Sequence, residues 1–578
     1  MEVTGFVEDE QKVALRIIGM TCDSCAAHVE KALAGVPGVI QTHVPGWDSG
    51  RAELVAGADV PSKALVGAVQ QAGYNAAVEA RRALQPFDRA HAPSRARRGD
   101  RPDGNVQRSS GDGQYDLMII GAGSAGFGAA IKAAELGHQV ALVEASTIGG
   151  TCVNVGCVPS KTLIRATEKY FEASGSRFRG VNTTPGQLYW SQVIGHKDEL
   201  VAELRQAKYW DVLDAYPSVS YIQGRARLAG GNTVEINGEV YRPGKIVITT
   251  GASPWAPPIP GLKEAGYLTS TTAMDLRHVP RSMIVLGANA VGLEQAQVYA
   301  RAGSHVTVIE LLERIVPFED EAISQALAGY LQDEGMTIVT GASTQRVDRR
   351  GGQYRLQVKL SDGTEATFAA EELLVATGRR PNTAGLGLEE AGVEVDRRGA
   401  IVVNEFLQTT NPDVYAAGDV VGRDMFVYVA AYGGGLAAEN ALTGAGRVYD
   451  TTALPKVTFT DPQVASVGLT EAQAVEAGYN VRTSVLPLEY VPRALAARDT
   501  RGLIKLVADG DTDRLLGAHV LAHEGSEIIQ IAVLAIRFGI TVHDLTDTLF
   551  PYLTLAEGLK LAAQTFEKDV AMLSCCAG

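Results

Sequence analysis

The sequence predicts an α/β protein with two copies of a strand, glycine turn, helix, strand unit and a small α+β module ahead of them. Three observations predict it. Residues 115–120 are a short apolar run, followed by Gly121-Ala-Gly123-Ser-Ala-Gly126, a helical stretch to about 137, and a second apolar run, 139–143, ending in Glu144. The same order returns at 282–292, with Gly287 and Gly292 in the turn, a helix to 302, and a strand, 305–309, ending at Glu310. Ahead of both, residues 12–79 alternate strand and helix signals in the order βαββαβ, the ferredoxin-like pattern.

At 578 residues the chain is too long for one core, and three or four domains are expected. Hydrophobic residues at 46% and charged residues at 20% describe an ordinary globular composition. A net charge of −14 argues against a nucleic-acid binder. The first ten residues are acidic and lack the basic and apolar regions of a signal peptide. No apolar run approaches the ~20 residues that span a bilayer. A cytoplasmic protein is expected. The six cysteines fall into three close pairs, Cys22/Cys25, Cys152/Cys157 and Cys575/Cys576. In a reducing compartment such pairs point to metal or redox chemistry before structural disulfides.

In the first module, 13–18 reads as a strand and 26–34 as a helix with Ala26, Val29 and Leu33 at helical spacing. Strands are expected at 39–40 and 52–55, a second helix at 62–72, and a last strand near 76–78. Gly19-Met20-Thr21-Cys22-Asp23-Ser24-Cys25 leads into the first helix and resembles the metal loop of heavy-metal-associated domains. A thiol near a helix N-terminus is acidified, giving the thiolate that soft metals prefer. Two such ligands suit linear Cu(I) or Hg(II), whereas structural zinc takes four. His28 is a candidate third ligand, although a lone histidine on a short helix is more often a surface residue.

Residues 80–114 contain eight arginines, four aspartates, several prolines and a Ser-Ser-Gly-Asp-Gly end. They read as a flexible linker, a tether of r.m.s. span roughly 30–35 Å. Nucleic-acid binding is a weak alternative, because no aromatics interleave the charge.

Beyond the linker, strand, G-x-G-x-x-G, helix, strand and acid make a full Rossmann-like dinucleotide fingerprint. Gly121, Gly123 and Gly126 let the backbone approach a pyrophosphate at a helix N-terminus, and Glu144 suits a ribose. The second copy, with Gly287, Gly292 and Glu310, has Asn289 in place of the middle glycine. Two such units suit a flavin and a nicotinamide. The stretch Gly149-Gly150-Thr151-Cys152-Val-Asn-Val-Gly156-Cys157-Val-Pro159-Ser160-Lys161 reads as a redox dithiol facing the first nucleotide. Residues 246–253 and 373–382 look like matching crossover strands and turns, and Asp419 ends a strand where a sugar or ribityl hydroxyl is expected.

This signature resembles the flavin-dependent pyridine nucleotide-disulfide oxidoreductases across residues 115–578. The resemblance implies FAD binding by 115–280 with 383–454, NAD(P)H binding by 281–382, and a C-terminal α+β dimerisation domain at 455–578. It implies that Cys157 is the thiolate nearer the flavin and that Cys152 is the outer thiol. Lys161 is implied beside the flavin and paired with Glu294, with Thr151, Asp419, Val427 and the backbone at Ala226 as further flavin contacts. A homodimer is expected, each site completed by the partner subunit.

Two departures indicate the substrate. Glutathione and lipoamide enzymes of this family carry a His-Pro-Thr-x-x-Glu motif, whereas the matching stretch here is Phe550-Pro551-Tyr552-Leu553-Thr554-Leu555-Ala556-Glu557. Tyr552 occupies the histidine position, and a phenol with pKa near ~10 is a poor base at neutral pH. The chain also ends in adjacent Cys575 and Cys576. With Cys22/Cys25, these features resemble the mercury-reducing members of the family. The resemblance implies mercury detoxification, Hg(II) being passed between cysteine pairs and reduced to Hg(0) by NAD(P)H through FAD. Glu310 points to NADH because it repels a 2′-phosphate, against the family's NADPH habit, with Arg314 as a candidate compensating cation. The alternatives are a dihydrolipoamide- or glutathione-type disulfide reductase, and a metal-sequestering or copper-delivery protein, which leaves both nucleotide units unexplained.

Overall fold

The computed structural model describes residues 10–20, 23–44, 50–57, 59–83 and 115–573. The chain divides into two compact units, 1–104 and 105–578. Cys22, Cys575, Cys576 and most of the expected linker lie outside the described residues.

In the first unit, strands Glu10–Ile18, Val39–His43, Arg51–Gly57 and Asn75–Ala83 form one antiparallel sheet. Their spatial order places Glu10–Ile18 between Arg51–Gly57 and Asn75–Ala83. This is the ferredoxin-like arrangement, with helices Asp23–Ala34 and Ser62–Gln71 completing it. Val13, Leu15 and Ile17 alternate into the core, meeting Ala26, Val29 and Leu33 of the first helix, as the two periodicities require. The last strand runs to Ala83, past the expected boundary at 79, because its register with Gln11–Ala14 continues that far.

The second unit opens on a five-stranded parallel sheet. Leu117–Ile120 lies between Lys245–Ile248 and Val140–Glu144, with Val219–Gln223 and Val414–Ala416 at the edges. Leu117, Met118, Ile119 and Ile120 are all buried, as in a parallel sheet covered on both faces. Val414–Ala416 returns from far along the chain to complete this sheet, so the first nucleotide unit is discontinuous in sequence. Helix Val427–Thr443 covers helix Ser124–Glu135 at glycine contacts. A Cβ on Gly128 would lie 2.5 Å from the Ala431 carbonyl oxygen, and one on Gly434 2.0 Å from that of Ala125.

Between these segments, Thr337–Val339, His305–Ile309, Ser282–Leu286 and Glu372–Val375 form a second parallel sheet. A three-stranded antiparallel sheet, Ser343–Arg350, Gln353–Lys359 and Glu365–Ala370, adjoins it. The C-terminal part is α+β, an antiparallel five-stranded sheet backed by helices Gly525–Arg537 and Glu557–Gln564 around one core. Among the described residues, no helix is long and apolar enough to cross a membrane.

Candidate active site

Two glycines set up the dithiol. Gly149 (φ +94°) and Gly150 (φ +60°) adopt backbone that side chains resist, and turn the chain into a short helix, Gly150–Val155, bearing Cys152. A Cβ on Gly150 would lie 2.7 Å from Gly123 Cα, so the dithiol segment rests directly on the first glycine turn. Gly156 then breaks the helix, and Cys157 begins the next, Cys157–Glu172. Cys157 therefore sits among unpaired backbone N–H groups at a positive helix end, which favour a thiolate.

The local charges divide the two thiols. Cys157 is pulled down to about 7, first by the hydrogen bond with the Cys152 thiol and then by the Lys161 cation, while burial and Glu294 oppose the shift. Cys152 is pushed well above the ordinary thiol range, first by the same hydrogen bond, then by burial and by the charge on its neighbour. The arrangement acidifies one sulfur and keeps the other protonated. The charge division makes Cys157 the more acidic sulfur, as expected of the thiolate; which of the two lies nearer a flavin stays what the resemblance implies.

Lys161 lies one turn along from Cys157 and reaches the second nucleotide unit. Its Nζ is 2.7 Å from Oε2 of Glu294, whose side chain is only 6% exposed on helix Ala290–Ala302. The other Glu294 oxygen accepts the Phe459 backbone N–H at 2.9 Å, and Lys161 Nζ lies 4.5 Å from the centre of the Phe459 ring.

A cavity of about 670 Å³ opens in front of the dithiol. Gly121, Gly123, Glu144, Thr151, Cys152, Cys157, Ala226, Asp419 and Val427 all line it, bringing together residues expected from six separate stretches. Gly126 and Lys161 are not in its wall. A Cβ on Gly126 would lie 1.9 Å from the Gly121 carbonyl oxygen, so that glycine serves helix–strand packing. Glu144 accepts the backbone N–H groups of Ala122 and Ser146, each at 2.8 Å, and so ties the glycine turn to the strand end.

The wall fits a flavin dinucleotide. A helix N-terminus faces it for a pyrophosphate, and Asp419, raised by burial against the opposing pull of Arg379, offers a carboxylate for hydroxyls. Asn154 spends its amide on the Ile148 and Gly150 carbonyls, leaving its buried Oδ1 without a partner at the wall.

In the second unit Glu310 accepts the N–H groups of Ala288 at 2.6 Å and Leu312 at 2.9 Å, and is 8% exposed. Arg314 donates to the Glu319 carbonyl at 2.7 Å, so its guanidinium is engaged within its own loop. Gly292 packs against Gly287 as Gly126 does against Gly121, with a Cβ distance of 2.0 Å from the carbonyl oxygen.

Two site residues escaped sequence reasoning. Arg379 donates to the Ala252 carbonyl, lies 3.4 Å from Thr151 Oγ1 and 3.7 Å from Asp419 Oδ2. Its signal was the Thr377-Gly378-Arg379-Arg380-Pro381-Asn382 run, read only as a turn. Phe459 opens the run 459–468, whose resemblance was to the dimerisation domain and carried no site role.

Tyr552 is 56% exposed and lies outside the cavity wall of its own chain, while Glu557 behind it is buried and accepts the Leu553 N–H at 3.3 Å. In the small module, Cys25 is half-buried at the start of helix Asp23–Ala34. His28 is exposed, its ring edge-on to Tyr74 at 6.0 Å between centroids. No cluster of three or more metal-ligating side chains occurs among the described residues.

Known proteins share this architecture. Residues 115–435 match the pyridine nucleotide-disulphide oxidoreductase model, 454–563 its dimerisation domain, and 14–75 the heavy-metal-associated domain. The solved HOCl-induced flavoprotein disulfide reductase of Escherichia coli, in a Cu(II) complex, superposes with a TM-score of 0.71 at 32% identity, covering 78% of this chain and 99% of that one. A mercuric reductase of Lysinibacillus sphaericus is 43% identical over 568 residues, 98% of this chain and all of the relative. Another, of Streptomyces lividans, is 48% identical over 470 residues, 80% of this chain and 98% of the relative. The chain belongs to the pyridine nucleotide-disulphide oxidoreductase family, in the group formed with these mercuric reductases.

Proposed function

We propose that this chain reduces Hg(II) to Hg(0) with electrons from a nicotinamide nucleotide, in mercury detoxification. The observation that carries the reading is the divided dithiol, Cys157 acidified beside the Lys161–Glu294 pair and Cys152 next to it at the cavity wall. A soft two-coordinate ion prefers two sulfurs, and each thiolate it leaves is replaced by another. The curated relatives named for mercury support the choice of ion.

The residues divide the task. Cys22 and Cys25 take the ion from small thiols, and Cys575 and Cys576 of the partner subunit hand it inward. Exchange at Cys152 and Cys157 holds it at the cavity without release of a free ion. Tyr552 donates a hydrogen bond to the bound ion's complex in place of the proton-shuttling histidine of organic disulfide reductases. When bound, FAD supplies the two-electron link between nicotinamide and ion. The balance is NADH and Hg(II) giving NAD⁺, Hg(0) and one proton, and neutral Hg(0) has no hold on the thiolates. The family dimerisation domain, with Leu534, Phe538 and Leu549 exposed, supports a homodimer.

NADH is the proposed donor. Glu310 is fixed by two backbone N–H groups and keeps lone pairs for a ribose hydroxyl, while it repels a 2′-phosphate.

The test is Hg(II)-dependent oxidation of NADH and NADPH with volatile mercury detected. Cys152→Ala should abolish both signals. Turnover of lipoamide or oxidised glutathione without mercury-dependent oxidation would replace this reading with the disulfide reductase one.

A further inference from the structure

We propose that Phe459 is a positioning residue for the reaction, its ring face and backbone together fixing the Lys161 ammonium. The inference rests on the flavin reading of the cavity and goes beyond it, because Phe459 lies outside the cavity wall and the run it opens, 459–468, was read only as part of the dimerisation domain.

Lysine is a point charge on a flexible four-carbon stem, and one ion pair leaves it free to swing about that contact. Here two groups from two other parts of the chain constrain it. Helix Cys157–Glu172 supplies Lys161, helix Ala290–Ala302 supplies Glu294 at 2.7 Å, and the segment after strand Lys456–Thr458 supplies the Phe459 ring at 4.5 Å. A cation over an aromatic face is attracted by the ring quadrupole, more strongly where water is partly excluded. The Phe459 N–H at 2.9 Å holds the second Glu294 oxygen, so the carboxylate cannot rotate away with the lysine. A buried carboxylate left without these partners would be costly, which keeps the triad together.

The segment that carries the ring is itself held. Gln297, one turn beyond Glu294, brackets the Asp461 backbone, accepting its N–H at 2.8 Å and donating to its carbonyl at 2.9 Å. Arg301, one further turn along, meets the Asp461 carboxylate at 2.7 Å. Residues 294, 297 and 301 thus form one polar stripe that grips residues 459–461. The position of the lysine charge is set by the nicotinamide-side helix and the C-terminal segment as well as by its own helix.

With the flavin bound where the family resemblance implies, near Lys161, a fixed cation favours the electron-rich reduced form, and the gain falls as the charge is displaced. Phe459→Leu keeps the backbone N–H and removes the ring face. The measurement is the two-electron midpoint potential of the purified holoenzyme, together with its anaerobic reduction by NADH in the absence of mercury. Phe459→Leu should lower the equilibrium constant for reduction about tenfold, which is about 30 mV for a two-electron couple. It should slow flavin reduction about tenfold, while Phe459→Tyr, with its face intact, stays within about twofold of the native protein. Unchanged potential and rate in Phe459→Leu overturn the proposal. So does an equal loss in the leucine and tyrosine variants, which would mark simple packing. If the leucine variant does not accumulate folded, Phe459→Met is judged by the same outcomes. A native protein that purifies without FAD would instead sink the functional reading beneath it.

Discussion

The two nucleotide units solve the same backbone problem and differ in what lies on top of the solution. In each, a first glycine with φ above +100° or at it, Gly121 and Gly287, passes under a carbonyl, and a strand-end glutamate accepts the next backbone N–H. In each, the last glycine lets the helix press on that turn. The middle position separates them. Gly123 meets Gly150 of the dithiol segment, whereas its counterpart Asn289 starts a helix with no dithiol across it. Both middle residues have extended backbone, φ −84° and −99°, so glycine is not demanded there by conformation. The close approach falls on the dithiol side, where a Cβ on Gly150 would lie 2.7 Å from Gly123 Cα, while one on Gly123 would meet Gly150 at an ordinary 3.6 Å. The fingerprint is therefore a property of the turn, and the chemistry is a property of what packs on it.

The largest expected effect comes from breaking both turns. Alanine at Gly121 places a Cβ 2.4 Å from the Thr249 carbonyl oxygen, and alanine at Gly287 one 2.6 Å from that of Ala376. Overpacking plus an unfavourable φ costs about 2–5 kcal/mol in either place. The consequences should separate by unit. Gly121→Ala should purify without flavin colour and without activity. Gly287→Ala should keep its flavin spectrum and raise the KM for the nicotinamide more than about tenfold, the loss expected from roughly 1.4 kcal/mol of binding. Loss of flavin from both variants would mean the units do not divide the two nucleotides.

Next in size is the choice of nicotinamide, which tests whether the strand-end glutamates are equivalent. Glu310 is buried and doubly held, and a 2′-phosphate placed near it meets a like charge that cannot move aside. NADH should be preferred over NADPH by about 100-fold in kcat/KM, since like-charge juxtaposition costs several kcal/mol. Glu310→Ser should erase most of that preference by improving NADPH. A strong native preference for NADPH would show that Glu310 is occupied in holding Ala288 and Leu312 and does not read the sugar.

The fold was legible where backbone sterics restrict residue choice. Glycine turns, acids at strand ends and the alternation of Val13, Leu15 and Ile17 are each forced by local geometry, and local geometry is written in spacing. The family likeness supplied the Lys161–Glu294 pair, whose members are far apart in sequence and carry no spacing signal. Arg379 and Phe459 stayed hidden for a different reason. Arg379 reaches the site from a turn that pairs with Ala252–Pro254, and Phe459 acts partly through its backbone N–H, which every residue but proline has. The discontinuity of the first unit was expected from the family and is carried physically by Val414–Ala416 pairing with Lys245–Ile248.

A titration examines the charge that only the first unit carries. Cys157 is held near about 7, so in the reduced, metal-free protein it is a thiol below that pH and a thiolate above it. Its alkylation by a neutral reagent such as iodoacetamide should rise through pH 7 and level off, while Cys152, raised by its neighbour, stays protonated and slow. Lys161→Met removes a cation that lowers the Cys157 value, and the midpoint should move up. A midpoint that stays in place in that variant would assign the acidity to the helix end and the Cys152 hydrogen bond alone.

The smallest expected effect is the most direct test of the comparison. Asn289 begins helix Ala290–Ala302 without a side-chain capping bond, and its extended backbone suits any residue. Restoring the missing glycine, Asn289→Gly, therefore removes no hydrogen bond at the helix start and relieves no strain. Glycine is itself a tolerated N-cap, costing only a few tenths of a kcal/mol against asparagine. Thermal midpoint and NADH KM should both stay close to native, the KM within about twofold. The reciprocal change, Gly123→Asn, brings a side chain between the first turn and Gly150; its Cβ fits at an ordinary 3.6 Å from Gly150 Cα, and the carboxamide beyond it is what crowds the segment. It should displace the dithiol segment and weaken flavin binding. A large gain in nicotinamide affinity from Asn289→Gly would show that the asparagine obstructs the second nucleotide, and would place the difference between the units in the ligand and not in the segment packed above it.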